Sequence, residues 1–144
     1  MHDCCFTDQD NWFRYRAAAI IIEDTDILLA TNNNYLYSIG GAVKMGETAE
    51  EAVIREVLEE SGLHYEIDRF VGVHENFFRD KVIGDYSCHE LALYFLMKSQ
   101  GKKPPKGESL WVPISELKNR QRHIDFIDSY LSSNEDFLHV VTSE

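Results

Sequence analysis

Cysteine is scarce in this chain: there are three, Cys4, Cys5 and Cys88. An odd count with two adjacent members makes a poor disulfide framework, which points to a reducing, cytoplasmic setting. His2 stands near Cys4 and Cys5, but their spacing fits no zinc pattern and chain ends are usually loose. Basic residues are few beside acidic ones, 14 against 25, for a formal net charge of −11. That balance argues against binding to nucleic acid or to an anionic membrane surface. An anionic small-molecule substrate is still admitted, provided a bound cation reverses the local field. No apolar run is long enough to span a membrane, and MHDCCFTDQD lacks the basic-then-apolar order of a signal peptide. Two of the three prolines stand in GKKPPKG (101–107), a turn-rich break too short for a domain linker. Internal repeats and low-complexity tracts are absent.

What is present is ordinary for one globular domain over residues 1–144, with enough chain to bury a core without disulfides or a structural metal. AAAIIIED (17–24) is short, apolar and rich in β-branched residues, so it reads as a buried strand. ILLA (27–30) is the return strand after a turn at 24–26, and YLYSI (35–39) is a third, ending at Gly40-Gly41. HYEIDRFVGVHENFF (64–78) and CHELALYFLM (88–97) read as longer strands joined by a polar loop. SLWVP (109–113) reads as the last strand, with helices expected at 115–119 and 124–133. Strands on both sides of a long helix give a mixed α/β layered fold.

That long helix is predicted over 48–61. Thr48 with Glu51 three residues on is a capping box, and Gly62 suits a left-handed C-terminal stop. At about 100° per residue, Glu56, Glu59 and Glu60 fall on one face, with Ala49 and Ala52 on the same side. Val53, Ile54, Val57 and Leu58 form the neighbouring stripe expected to face the core. Three clustered glutamates are hard oxygen ligands that suit Mg2+ or Mn2+. The small alanines let another element approach closely. Gly40 and Gly41 let the backbone bend ahead of the helix.

GAVKMGETAEEAVIREVLEESGL resembles the Nudix box, the signature of the Nudix hydrolases. Its specified positions are filled by Gly41, Glu47, Arg55, Glu56, Val57, Glu59, Glu60, Gly62 and Leu63. The resemblance implies an α/β/α sandwich with a mixed β-sheet and a loop-helix-loop metal site. It implies metal-dependent hydrolysis of a phosphoanhydride in a nucleoside diphosphate linked to another moiety, ADP-ribose-like or a nucleoside triphosphate. On that reading Glu56, Glu59, Glu60 and the Gly40 carbonyl are metal ligands. Glu59 is a further ligand or the base, Arg55 holds the glutamates, and Gly41, Glu47 and Gly62 support the loop. The alternative is a catalytically silent, nucleotide-binding Nudix domain with a regulatory role.

Outside the box, Glu90 in CHELALYF is a charged residue in an apolar strand. It resembles the extra glutamate that many family members place near the metals, as ligand or base. Tyr35, Tyr37, Phe77, Phe78 and Tyr86 are candidates to stack on a base; Arg14, Arg16 and Arg79 are candidates to meet distal phosphates. Of these, Tyr37, Phe78, Arg16 and Arg79 are the expected substrate contacts. LYSIGG stands where many relatives have LPGG, and the subfamily marks past the box are missing. The substrate therefore stays open, as does the oligomeric state, a homodimer included.

Overall fold

The structure, a computed structural model, describes residues 2–80 and 85–144. The apolar run closes a ten-residue strand, β2 (Asn11–Ile20), preceded by β1 (Cys5–Asp8). Alternate β2 side chains enter two different cores. Ala17 and Ala19 pack with Val53, Val57 and Phe95, whereas Ala18 and Ile20 pack with Leu29, Tyr94 and Phe126. Burial on both faces is why the sequence there shows an unbroken apolar run and no alternation.

The remaining strands are β3 (Ile22–Glu23), β4 (Asp26–Asn32), β5 (Tyr35–Tyr37), β6 (Gly40–Ala42), β7 (Ile67–Asp80), β8 (Tyr86–Met97), β9 (Ser109–Pro113), β10 (Arg122–His123) and β11 (Leu138–Ser143). The larger sheet runs β1-β2-β8-β7-β11, with β6 also paired to β2. Its β2–β8 and β7–β11 pairs are parallel and the others antiparallel, so the sheet is mixed. The smaller sheet runs β10-β5-β4-β3, with β9 on β4. Helix α1 (Ala49–Ser61) covers one face of the larger sheet. The smaller sheet and α2 (Asp125–Leu131) cover the other, giving the expected α/β arrangement.

α1 begins and ends as its sequence requires. Thr48 Oγ1 accepts the Glu51 N–H and the Glu51 carboxylate accepts the Thr48 N–H, while Gly62 stops the helix at φ 75°. The expected core stripe is shifted: Val53 and Val57 are buried, Ile54 only partly, and Leu58 is 48% exposed. Ala49 and Ala52 complete the buried face instead. On the helical wheel Glu56 and Glu60 lie between Ala52 and Val53, so both point toward the sheet.

Other elements differ from expectation for physical reasons. β1 is exposed along its whole length, so no apolar signal marks it. β10 is two residues long and exists through its parallel pairing with β5. β11 follows the strand expected to be last and docks parallel to β7. Residues 115–119 form part of a 3-10 helix (Ile114–Asn119). Part of the expected 79–87 loop, residues 81–84, lies outside the described residues.

One buried carboxylate belongs to the frame. Glu23 accepts from Tyr65 Oη at 2.8 Å, Ser99 Oγ at 2.5 Å, and the amides of Gln100 at 2.9 Å and Gly101 at 3.2 Å. Burial opposes its charge, but these four donors together hold its pKa below the ordinary glutamate value. They tie β3 to the chain leaving β8.

Candidate active site

The Gly40-Gly41 pair does not make a bend. It forms β6, antiparallel to Ala17 and Ala18 of β2, and packing explains both glycines. A Cβ on Gly40 would lie 2.3 Å from the Ala17 carbonyl oxygen, and one on Gly41 would lie 2.5 Å from the Glu56 carboxylate. The missing side chains let strand and helix close on each other, with Glu56 laid against β6. Glu60 is fixed from the same side: its Oε2 accepts the Gly40 N–H at 3.0 Å. Gly40 thus touches the cluster through its amide.

Arg55 organises the rest. Its Nε and Nη2 bind both oxygens of Glu47, at 2.8 and 2.9 Å, and Nη2 also reaches the Ala42 carbonyl at 3.1 Å. Nη1 donates to Glu56 Oε1 at 2.8 Å and Glu59 Oε2 at 3.2 Å. Paired forks of this kind are strong and directional. The Arg55 guanidinium, helped by the Lys44 amide, holds Glu47 far below the usual range, at about 2.

Glu56 Oε2, Glu59 Oε1 and Glu60 Oε1 accept no hydrogen bond among the described residues. Burial, with Glu56 and Glu59 nearby, pushes Glu60 up to about 7 against the pull of the Gly40 amide and Arg16. Three uncommitted hard oxygens around a carboxylate that is costly to ionise are a donor set that fits Mg2+ or Mn2+. No three acidic, histidine or cysteine groups among the described residues already stand at metal-ligand spacing. Closing around an ion therefore requires side-chain rotation, for which Glu59, 54% exposed, is free.

Beside Glu60 opens a cavity of about 450 Å³, bordered by Arg14, Arg16, Asn32, Tyr37, Gly41 and Glu108 among others. Arg16 is held by Ser38, through Nη1 to Oγ at 3.0 Å and Nη2 to the carbonyl at 2.9 Å. Ser38 Oγ in turn shares a 3.1 Å hydrogen bond with Tyr94 Oη. Burial works against the Arg16 charge, yet Tyr94, Glu90 and Glu60 around it raise its pKa. Tyr37 borders the cavity with its ring tilted against His123, 5.5 Å between centroids.

Three expected site residues have other surroundings: two lie off the cavity wall and the third is paired with Arg14. Phe78 and Arg79 lie at the far end of β7, opposite Cys88 and Ser87, and neither borders the cavity. Arg79 makes an exposed ion pair with Asp85 at 2.8 Å. Among the described residues Glu90 makes no hydrogen bond or ion pair with the box glutamates; it binds Arg14 at 2.5 Å. The sequence reading missed Ser38 and Tyr94, which fix Arg16. Their signal was strand parity: Tyr94 stands opposite Ala18, on the face that carries Arg14 and Arg16.

The NUDIX domain family matches residues 13–130. Among curated proteins the chain is 33% identical over 94 residues to the ADP-ribose pyrophosphatase of Methanocaldococcus jannaschii, covering 62% of this chain and 53% of that one. It is 32% identical over 90 residues to the putative mutator protein MutT4 of Mycobacterium tuberculosis, covering 59% of this chain and 35% of that one. The chain thus spans about half the length, or less, of these relatives. Similar solved structures include a MutT NUDIX hydrolase from Burkholderia pseudomallei, at TM-score 0.57 and 23% identity over 77% of this chain and 91% of that one. A NUDIX hydrolase from Nitrosomonas europaea gives TM-score 0.61 and 19% identity over 87% and 93%. At these identities the structures speak for the fold, which they share. With the family match over most of its length and every box position filled, this chain belongs to the Nudix family.

Proposed function

We propose that this chain is a metal-dependent pyrophosphohydrolase. It hydrolyses a phosphoanhydride in a nucleoside diphosphate linked to another moiety, either ADP-ribose-like or a nucleoside triphosphate. The observation that carries this reading is the set of uncommitted oxygens on Glu56, Glu59 and Glu60, the last of which borders a cavity with two arginines in its wall. The name of the Methanocaldococcus relative, an ADP-ribose pyrophosphatase, supports the same class.

Glu56 and Glu60 would hold Mg2+ or Mn2+, with the Gly40 carbonyl as a further ligand. When bound, the ion supplies counter-charge for phosphate oxygens and makes water more acidic. Arg55 keeps Glu56 and Glu59 in register and balances part of their charge. Glu59 is the proton acceptor, because it reaches solvent and keeps Oε1 uncommitted. Water adds to phosphorus, its proton passes to Glu59, and the anhydride oxygen leaves with the bond's electron pair. Arg16 meets the phosphate charge from the cavity wall, and Tyr37 lines the route for the base or ribose.

The test is a screen of nucleoside triphosphates, ADP-ribose and related diphosphates with magnesium, reading the phosphate products. Cleavage at an anhydride is expected, with simple phosphomonoesters untouched. A best substrate such as para-nitrophenyl phosphate would contradict the reading.

A further inference from the structure

Glu90 is 6% exposed on β8, and its partner is Arg14, the residue directly opposite on β2. A single oxygen, Oε2, accepts a hydrogen bond from Nε of Arg14 at 2.5 Å and makes an ion pair with Nη2 at 2.5 Å. The guanidinium also lies over the Trp12 ring, 5.6 Å from its centroid. Trp12, Arg14 and Arg16 are alternate residues of one strand and leave the same face. Nη1 of Arg14 makes no hydrogen bond among the described residues, and Arg14 borders the cavity. The arginine is therefore gripped along one edge and open along the other. A long flexible side chain held in this way has less freedom to lose when an anion binds.

We propose, resting on the pyrophosphohydrolase reading, that Glu90 is a positioning residue. It fixes Arg14 at the cavity wall, and Arg14, in place of Arg79, joins Arg16 as the seat for the anionic part of the substrate. As base or metal ligand Glu90 would have to reach water or metal beside α1. Its Oε2 is committed to Arg14 on β2, and through that contact it acts on the substrate.

The experiment is a double-mutant cycle on the full chain with Glu90→Gln, Arg14→Ala and both together. Two quantities are read: binding of inorganic pyrophosphate by calorimetry with magnesium present, and KM with kcat on the best substrate of the screen. Each single variant is expected to weaken pyrophosphate binding and raise KM by about tenfold, with kcat within about threefold of the parent. The double variant should match Arg14→Ala alone, because Glu90 acts through Arg14. Glu90→Asp should recover part of the loss. The pH-rate profile and the magnesium needed for half activity should not move. Additive losses in the double variant would overturn the proposal. So would a large fall in kcat with a lost pH limb, or a raised magnesium requirement, in Glu90→Gln. If Glu90→Gln does not fold, the same substitution is made on Arg14→Met, which removes the stranded charge. No further weakening there supports the proposal, and further weakening overturns it. Pyrophosphate binding needs no turnover, so a coupled cycle in a protein that cleaves no anhydride would sink the hydrolase reading alone. Cleavage with an additive cycle would sink this one alone.

Discussion

Glu23 and Glu60 are both shielded carboxylates next to the same apolar core, and the fold treats them in opposite ways. Glu23 receives four donors and has its pKa lowered. Glu60 receives one, from Gly40, has two like charges for neighbours, and is pushed up to about 7. A carboxylate whose partners are complete is a brace, since nothing is left for a ligand to satisfy. One left short of partners beside a cavity is a place where a cation gains most. The comparison separates frame from site with no reference to the Nudix pattern.

The largest expected effect breaks the Glu60 side. Glu60→Gln and Glu56→Gln should each lower turnover about a thousandfold, or ~4 kcal/mol of barrier, while raising the magnesium needed for half activity. Steady-state rates across a magnesium titration check this. Glu23→Gln should do the reverse. Four donors lose their charged acceptor, so chemical denaturation should show a loss of about 2–3 kcal/mol. Its magnesium dependence should stay that of the parent. If Glu23→Gln damaged magnesium use as much as Glu60→Gln, the division between brace and site would fall.

The pH dependence sharpens the contrast. Unfolded, a glutamate ionises near 4.5; folded, Glu60 keeps its proton until about 7. Between those values the folded state binds more protons, so the Glu60 contribution makes stability fall as pH rises through this window. His74, whose pKa burial lowers, acts with the opposite sign just below its ordinary 6.5. The readout is therefore the difference in melting temperature between parent and Glu60→Gln, without magnesium. The variant should gain on the parent from pH 4.5 to 8, and a flat difference would contradict the burial argument.

The smallest effect is the control on the other side of α1. Glu51 serves the capping box, which glutamine also satisfies. Glu51→Gln should change stability by less than about 0.5 kcal/mol and leave turnover alone. A loss of activity comparable to Glu56→Gln would mean that the faces of α1 are wrongly assigned.

How much of this was legible before the structure follows from the range of each interaction. The limits and caps of α1 depend on residues within one turn, and Thr48, Glu51 and Gly62 announced them. The carboxylate face was legible too, but the stripe beside it was not. Hydrophobicity alone assigned Leu58 to the core, whereas the close approach of β2 and β6 selects the small Ala49 and Ala52. Arg14 and Glu90 are separated by 76 positions, and their pairing exists because β2 and β8 are parallel neighbours. Nothing local in CHEL says so. β11 likewise becomes a strand through its docking on β7.

On the proposed reading, Glu60 is held short of partners because a divalent cation completes it. The decisive measurement is calorimetric titration of magnesium into the substrate-free protein at pH 6 and pH 8, in the parent and in Glu60→Gln. With Glu60 near 7, the parent should bind about tenfold more tightly at pH 8 and release a proton on binding near neutrality. Glu60→Gln should bind weakly at both. Equal affinity at the two pH values, or equal affinity in parent and variant, would contradict it.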